Sequence, residues 1–214
     1  MKQNITLSID KELIKNARVL AAQRQTSVSR MLSEELQKLI EDSNKYELAK
    51  KQALNYINRG FHLGGELLFP ERNFMSGKVF VDTNILIYAH DLDAGQRNKI
   101  SAAILRDLWE NRIGIISTQV LQEFYVNVTR KIENPLPKSK ARGIIENYLA
   151  WPVKLNDAET VLSASEIEER YMLSFWDALI VASARNAKAE KILTEDLNHG
   201  QQIEGILIEN PFVT

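Results

Sequence analysis

The sequence predicts an α/β protein with a parallel sheet flanked by helices over residues 78–210, preceded by a smaller module over roughly the first 44 residues. From Lys78 onward, short apolar stretches alternate with stretches of helical periodicity, which is typical of parallel strands joined by helical crossovers. We find no internal repeat and no low-complexity segment. The predicted strands are 78–82, 113–117, 151–155, 191–194 and 205–208, and the predicted helices are about 84–91, 95–111, 118–133, 138–150, 157–170 and 175–188.

Composition and charge exclude several classes of protein. The 214-residue chain is 44% hydrophobic and 26% charged, which is ordinary for a globular protein and unlike a disordered one. It has no cysteine, which excludes a disulfide scaffold and a thiolate metal site. A formal net charge of −1 argues against a surface coated with basic residues. Because no apolar run approaches ~18 residues and the start lacks the apolar core of a signal peptide, we expect a cytoplasmic protein.

The first module is predicted to be a strand followed by two helices. Ile5, Leu7 and Ile9 alternate with polar residues, which indicates a half-buried strand. Asp10 and Ser27 each stand where a helix N-cap is expected. One short strand and two helices bury little core, and a lone strand leaves an open edge. We therefore expect a two-fold dimer in which the strand pairs with its own copy.

Residues 45–74 differ from both neighbouring regions. Helical spacing continues to about Ile57, and then glycines and large apolar side chains follow without a clear period. Flexible linkers are usually rich in Gly and Ser or in charge, so this composition favours a segment that wraps over another surface. An ordinary interdomain linker is the alternative. The large apolar residues that would serve as anchors are Phe61, Leu63, Leu68 and Phe69.

Four acidic residues stand near the ends of predicted strands or the starts of the helices that follow: Asp82, Glu123, Asp177 and Asp196. In open α/β sheets, ligands bind beyond the carboxyl ends of the strands. Any one acid has a structural explanation, such as a favourable helix dipole or a turn. Four carboxylates in one place repel each other unless a cation neutralises them, and an all-oxygen donor set selects Mg²⁺ or Mn²⁺. Such a site suits phosphodiester hydrolysis.

Four motifs, VDTNILIYAHD, STQVLQEFYVNVTRK, LSFWDALIVASA and ILTEDLNHG, together resemble a PIN-domain ribonuclease of the VapC toxin type over about residues 78–210. The resemblance implies Mg²⁺- or Mn²⁺-dependent endonucleolytic cleavage of RNA. It places the catalytic and metal-binding roles on the four acids and supporting roles on Thr83, Asn84 and Thr194. Glu195 adjoins Asp196 and could share its role, but Asp196 has the matching place in the motif.

The N-terminal module resembles a ribbon-helix-helix DNA-binding domain, in which paired strands enter the major groove. This resemblance implies that Lys2, Asn4 and Thr6 face the bases of an operator DNA. It also implies that the amides between Ser27 and Ser29 hold a phosphate. The alternative is that this module only dimerises the chain and binds no DNA.

Together the two modules resemble a VapB–VapC-type antitoxin and toxin joined in one chain. The domains implied are an antitoxin DNA-binding domain (1–44), an inhibitory tail (45–74) and a ribonuclease toxin (75–214). In that family the tail covers the toxin cleft and often inserts an arginine among the acids, which implies Arg72, or secondly Arg59. We expect a homo-oligomer, either a dimer or a tetramer.

Two other functions compete with the autoinhibited ribonuclease. One is a DNA-binding transcription regulator whose C-terminal body is a catalytically inert PIN-like domain. The other is a phosphotransferase with Asp82 as nucleophile, which is disfavoured because Asn84 occupies the position where such enzymes need a second aspartate. A P-loop is absent from the sequence, and the three histidines show no ligand spacing.

Overall fold

A computed structural model of the protein describes residues 6–61 and 77–213. The chain divides into two compact units, one up to Glu47 and one from Leu48 onward. The division falls inside a single helix of 32 residues, Val28–Arg59, which also passes through the predicted domain boundary at residues 44–45. Among the described residues, no helix is both long enough and apolar enough to cross a lipid bilayer.

The first unit contains helix α1 (Lys11–Gln23) and the start of α2 (Val28–Arg59). Both predicted N-caps are present. A carboxylate oxygen of Asp10 accepts the amides of Glu12 and Leu13 at 2.8 and 3.3 Å. The Ser27 hydroxyl accepts the amide of Arg30 at 3.1 Å. Each cap satisfies amides that have no partner within the helix, so the helix starts follow from local sequence.

The first unit buries very little apolar surface. Among its described hydrophobic residues, Ala21 alone is buried, while leucines and isoleucines on both helices are exposed. Apolar residues of α1 and α2 line a groove with a cavity of about 330 Å³. Residues 6–10, the described part of the predicted strand, do not form a strand within the single chain. A strand requires a pairing partner, which here would be a second copy, so the ribbon stays a prediction.

The second unit is built on a six-stranded sheet in the order β3-β2-β1-β4-β6-β5. All neighbouring pairs are parallel except β5 and β6, which are antiparallel. Helices flank the sheet, so the predicted fold class is confirmed. The strands are β1 (Val79–Val81), β2 (Gly114–Ser117), β3 (Val153–Lys154), β4 (Lys191–Leu193), β5 (Gln202–Ile203) and β6 (Ile206–Glu209). The helices are α3 (Thr83–His90), α4 (Gln96–Asn111), α5 (Thr118–Val126), α6 (Lys138–Tyr148), α7 (Ala158–Tyr171) and α8 (Phe175–Asn186).

The central strands are short and fully buried, as expected for a parallel sheet covered on both faces. Every residue of β1, β2 and β4 is buried. Gly114 begins β2 because Trp151 packs against its backbone, and a Cβ there would come within 2.4 Å of the indole. Lys191 is buried in β4 and pairs with Glu209 of β6 at 2.5 Å, which compensates the buried charge.

Three elements of the second unit differ from the sequence prediction. The helix predicted over 118–133 ends at Val126 and continues as a π-helix, Asn127–Lys131. The strand predicted over 151–155 is only Val153–Lys154, at the edge of the sheet. Strand β5 was not predicted. It pairs with β6 across a two-residue turn in which Glu204 and Gly205 both have positive φ, as a type I′ hairpin requires.

The end of α2 belongs to the second unit. Ala53 and Ile57 are buried there, and Gly60, with φ of +53°, ends the helix in the left-handed conformation that glycine adopts readily. Phe61 then pairs with the loop after α3, donating its amide to the His90 carbonyl at 2.9 Å. The predicted anchor Phe61 therefore contacts the end of α3 and the loop after it, within the predicted toxin domain. The other three predicted anchors, Leu63, Leu68 and Phe69, lie outside the described residues.

An aromatic cluster fills part of the core of the second unit. Trp109 and Tyr148 are fully buried, with ring centroids 5.7 Å apart. His90 is also fully buried, between the rings of Phe124 and Tyr148, and its Nε2 lies 3.3 Å from the Tyr148 hydroxyl. Burial lowers the pKa of His90 to about 3, because the low-dielectric interior disfavours the imidazolium.

Candidate active site

The candidate site lies where the strand order of the sheet reverses. The chain runs from β1 outward to β2 and β3, and then returns to place β4 on the other side of β1. Asp82 follows β1 and donates its amide to the carbonyl of Leu193, the last residue of β4, at 3.0 Å. Crevices at such switch points, beyond the carboxyl ends of parallel strands, are the usual ligand sites of open α/β sheets.

The structure brings the four predicted acids together in one pocket of about 590 Å³. Asp82 and Asp196 follow strands β1 and β4, Glu123 lies in the second turn of α5, and Asp177 lies in the first turn of α8. The remaining lining residues come mainly from α5, the π-helix and α8. The pocket is lined by Asp82, Gln119, Gln122, Glu123, Val126, Asn127, Lys131, Trp176, Asp177, Ile180 and Asp196.

Asp82 is the most buried of the four acids. It is the N-cap of α3 and accepts the amide of Thr83 at 2.6 Å and the hydroxyl of Thr194 at 2.6 Å. Burial raises its pKa to about 7, and the two hydrogen bonds only partly oppose that effect. The negative charges of Asp196 and Glu123 raise this pKa further. The carboxylate form of Asp82 is therefore costly in the protein alone and would be favoured by a cation.

Asn84 joins Asp82 to Asp196 through its side-chain amide. Its Nδ2 donates to Asp196 Oδ2 at 3.0 Å, to Thr194 Oγ1 at 3.3 Å and to Asp82 Oδ2 at 3.5 Å. The amide of Asp196 donates to the Thr194 hydroxyl at 3.1 Å. The predicted supporting residues Asn84 and Thr194 thus touch the acids directly and orient them.

Glu123 is held by two donors on the other side of the pocket. The Thr83 hydroxyl donates to one of its oxygens at 2.7 Å, and Gln119 Nε2 donates to the other at 2.9 Å. Gln119 and Glu123 are four residues apart on α5, so they lie on the same face of the helix. The same Gln119 nitrogen lies 3.1 Å from the carbonyl of Trp176, which ties α5 to the start of α8.

Asp177 lies in the first turn of α8. The Ser174 hydroxyl caps this helix, accepting the Asp177 amide at 3.2 Å and donating to the Asp177 carboxylate at 2.7 Å. This position agrees with a purely structural role for Asp177, as a first-turn acid favoured by the helix dipole. It also agrees with the functional explanation, because Asp177 lines the same pocket as the other three acids.

The four carboxylates offer the all-oxygen donor set that Mg²⁺ and Mn²⁺ prefer. Two amide oxygens beside them, Asn84 Oδ1 and Gln119 Oε1, are buried without a hydrogen-bond partner among the described residues. Within residues 6–61 and 77–213, however, no three acidic or histidine side chains stand close enough together to hold an ion in their present rotamers. Each carboxylate accepts hydrogen bonds from neighbouring protein groups instead. The donor chemistry therefore fits a divalent cation, and metal binding stays a prediction.

Glu195 is held by a different set of residues. Its carboxylate accepts a hydrogen bond from the Tyr88 hydroxyl and forms an ion pair with Arg97 at 3.1 Å. The Arg97 guanidinium also lies 5.1 Å from the ring centre of Tyr88 and 5.5 Å from that of Phe212. Glu195 does not line the acidic pocket, whereas Asp196 does. This geometry favours Asp196 over Glu195 as the site residue.

Sequence reasoning missed several residues of the site and its edge, among them Gln119, Lys131, Trp176, Tyr88 and Arg97. A helical-face argument would have found Gln119, because it stands four residues before Glu123. No sequence signal pairs Arg97 with Glu195, which is nearly one hundred residues away. That contact depends on the packing of α4 against α3.

The remaining predicted residues lie away from the pocket or outside the described residues. Arg59 lies beside α6, in a separate pocket with Gln52 and Glu146, and does not line the acidic pocket. Arg72, the first-ranked inhibitory residue, lies outside the described residues, as do Lys2 and Asn4. The predicted DNA-contacting residues Thr6, Ser27 and Ser29 are described, and all three are exposed.

Comparison with known protein families agrees with the geometry of the second unit. Residues 79–201 match the model of the PIN domain, which covers more than half of the chain. The chain belongs to the PIN-domain family. Upstream of the PIN domain, residues 1–59 match a family of unknown function, DUF6364, and this match stops where α2 stops. No protein of curated function matches the chain.

Several solved structures are similar to the chain. A toxin-antitoxin complex from Klebsiella pneumoniae shares 21% identity over 63% of this chain and 98% of its own, with a TM-score of 0.44. DNA-bound VapBC from Salmonella typhimurium shares 18% identity over 64% of this chain and 99% of its own, with a TM-score of 0.46. VapC20 of Mycobacterium tuberculosis, a sarcin-ricin-loop-cleaving toxin, shares 22% identity over 54% and 87%, with a TM-score of 0.41.

Proposed function

We propose that the PIN domain of this chain is a divalent-metal-dependent endoribonuclease. We further propose that the segment before it is a fused antitoxin, which inhibits the nuclease and binds operator DNA. One observation carries the nuclease assignment. Four acids that are far apart in sequence line one pocket at the switch point of the sheet of a PIN domain, a family whose members are generally nucleases.

The four acids, Asp82, Glu123, Asp177 and Asp196, would hold the metal. A bound Mg²⁺ or Mn²⁺ lowers the pKa of water and neutralises charge that develops on a phosphate during hydrolysis. Thr194 and Asn84 position the carboxylates of Asp82 and Asp196, and Thr83 and Gln119 position Glu123. Preorganised carboxylates lower the cost of reorganisation at the moment of reaction.

The antitoxin assignment rests on the N-terminal features. The two capped helices of the first unit and their exposed apolar surface suit a small dimeric DNA-binding domain. Phe61, in the middle of the proposed inhibitory tail (45–74), hydrogen-bonds through its backbone to the end of α3 and the loop after it, which attaches the tail to the PIN domain. Arg72, in the tail after this anchor, is our candidate for pairing with the acids in the pocket.

Cleavage by the full-length chain tests the nuclease proposal. Structured and unstructured RNAs are incubated with Mg²⁺, Mn²⁺ or EDTA, and the products are resolved on sequencing gels. Because the antitoxin segment is proposed to inhibit the nuclease, the assay includes Arg72→Ala beside the wild type. We expect slow cleavage by the wild-type chain, faster cleavage by Arg72→Ala with either ion, and none by either protein in EDTA. In the Arg72→Ala chain, Asp177→Asn should lower the rate at least about 100-fold, since a metal site contributes several kcal/mol to transition-state stabilisation. Glu166→Gln, which removes an exposed acid of α7 outside the pocket, is the matched control.

A second comparison tests autoinhibition. Arg72→Ala should raise the cleavage rate of the full-length chain, whereas Arg59→Ala should not, because Arg59 lies in a different pocket. If neither the wild-type chain nor Arg72→Ala cleaves any RNA with either ion, the nuclease proposal fails. In that case the alternative, a transcription regulator with an inert PIN-like body, is favoured. Equal rates for wild type and Arg72→Ala would reject the arginine as the inhibitory group.

A further inference from the structure

One wall of the acidic pocket carries an exposed tryptophan that neither the fold nor the acid chemistry explains. The chain has three tryptophans. Trp109 and Trp151 are buried in the aromatic core, whereas Trp176 is 62% exposed and lines the pocket beside Asp177. Water contact with so much apolar surface contributes nothing to folding, because the driving force comes from apolar area that is removed from water.

Trp176 is nevertheless fixed at its base. It is the second residue of α8, and its carbonyl accepts a hydrogen bond from Gln119 at 3.1 Å. The ring of Phe175 lies 5.6 Å away at an interplanar angle of 73°, so it meets the indole nearly perpendicularly and does not stack on it. The exposed indole therefore has surface available for a planar ligand, and its backbone is already held in place.

A cation shares this pocket with Trp176. Among the described residues that line the pocket, Lys131 is the only positively charged one. Lys131 ends the π-helix that follows α5, and a short π-helix is a rare feature that often marks a functional site. Gln122 and Asn127, on the same wall, present side-chain amides that can donate and accept hydrogen bonds. An aromatic face beside a cation suits a nucleotide, with its planar base and anionic phosphate.

We propose that Trp176 is a stacking platform for an unpaired base of the substrate RNA and that Lys131 contacts an adjacent phosphate. This inference rests on the proposed ribonuclease function and specifies its substrate. Both faces of an internal base in a duplex are already covered by its neighbours, so stacking on Trp176 selects RNA whose bases are unpaired next to the cleaved bond. Because every base has a π-face, this contact contributes affinity with little sequence preference.

The test measures RNA binding separately from cleavage. The full-length chain carries Asp82→Asn so that RNA stays intact, and asparagine keeps the N-cap of α3. It also carries Arg72→Ala, so that the proposed inhibitory side chain does not occupy the pocket. The probes are a fluorescein-labelled unstructured 8-nucleotide RNA and the same RNA annealed to its complement. We expect Trp176→Ala to weaken binding of the single strand about 5- to 150-fold and Trp176→Phe to retain most of the affinity. Leu162→Ala, which alters an exposed apolar residue of α7 outside the pocket, should leave the Kd unchanged.

Two further readouts are specific to stacking and to the phosphate contact. Single-stranded RNA should quench the fluorescence of Trp176, the one exposed tryptophan of the three in the chain. Lys131→Ala should reduce the slope of log K against log salt by about 1. Equal Kd values for Trp176→Ala and Leu162→Ala, binding without quenching, or no binding of the single strand would each overturn the proposal.

Cleavage assays distinguish failure of this inference from failure of the proposed function. A chain that cuts RNA normally after Trp176→Ala, with an unchanged KM, remains a ribonuclease but has no stacking site. If the chain binds single-stranded RNA through Trp176 but never cuts it with Mg²⁺ or Mn²⁺, the stacking site is supported and the ribonuclease proposal is rejected.

Discussion

The two units of this protein bury apolar surface to very different degrees. The unit from Leu48 onward has a continuous core that includes strands β1, β2 and β4 and an aromatic cluster around Trp109. The described part of the unit up to Glu47 buries only Ala21 among its hydrophobic residues and exposes Leu39 and Ile40 on α2. Both contain well-capped helices, so helix formation is not what separates them.

The difference shows which unit can fold by itself. Helical propensity and caps define helices locally, but most helical stability comes from packing an apolar face. The second unit supplies that packing within one chain, whereas the first leaves an apolar groove between α1 and α2. We therefore expect the first unit to obtain its missing core from a second copy, and three predictions can break or sharpen this contrast.

Truncating one leucine in each unit should give the largest difference. Leu108 is fully buried in α4, so Leu108→Ala should lower the free energy of unfolding of the second unit by about 2–5 kcal/mol at any protein concentration. Leu39 is exposed in the single chain, so Leu39→Ala should change that quantity by less than about 0.5 kcal/mol. Denaturant unfolding at several protein concentrations measures both.

The same two variants, Leu39→Ala and Leu108→Ala, should differ in the opposite way in their effect on self-association. Leu39→Ala should weaken the dimer in sedimentation equilibrium, because the side chain would be covered by the second copy. Leu108→Ala should leave the association constant unchanged wherever the chain stays folded. A wild-type chain that is monomeric at all concentrations would contradict the proposed sharing of a core between copies.

Two buried groups of the second unit, His90 and Asp82, should affect the pH dependence of unfolding in opposite directions, and comparison with His90→Gln isolates the contribution of His90. The unfolded histidine takes up a proton below about pH 6.5, whereas the folded one does so only near pH 3. Stability due to neutral His90 is therefore complete above pH 6.5 and is lost as the pH falls toward 3. Between pH 8 and 4.5, wild type should lose about 2–3 kcal/mol relative to His90→Gln.

A matched variant checks that this loss belongs to the buried imidazole. His199→Gln removes an exposed loop histidine and should leave the pH dependence of unfolding as in wild type. Denaturant midpoints measured for the three proteins across that pH range decide the matter. Parallel curves for wild type and His90→Gln would show that burial of His90 does not control its protonation.

Arg97 should give only a small loss of stability, because its side chain is half exposed and surface ion pairs are weak. Arg97→Ala removes the ion pair with Glu195 and the stacking on Tyr88, and should cost about 0.5–1 kcal/mol. Arg97→Lys should recover only part, since an ammonium lacks the planar fork. Unfolding at low and high salt should show the loss shrinking with salt, and a salt-independent loss would point to packing alone.

Much of the fold followed from local patterns in the sequence. The apolar strands β1, β2 and β4 and the caps at Asp10 and Ser27 depend on neighbouring residues, so periodicity and residue type predict them. The hairpin of β5 and β6 was harder to predict. It depends on a turn in which Glu204, a residue with no preference for positive φ, adopts that conformation.

The sequence by itself determined which groups are available: carboxylates near the ends of strands and within the helices that follow, and no thiolates. Its short apolar stretches, which alternate with helical stretches, also predicted a parallel sheet. Only the tertiary structure decided how those groups are used. It placed Asp196 in the pocket while Tyr88 and Arg97 hold the adjacent Glu195, and it left Trp176 exposed while burying the other two tryptophans. The reason is physical, because residue type and spacing are local properties, whereas burial and the meeting of distant side chains depend on how whole elements pack.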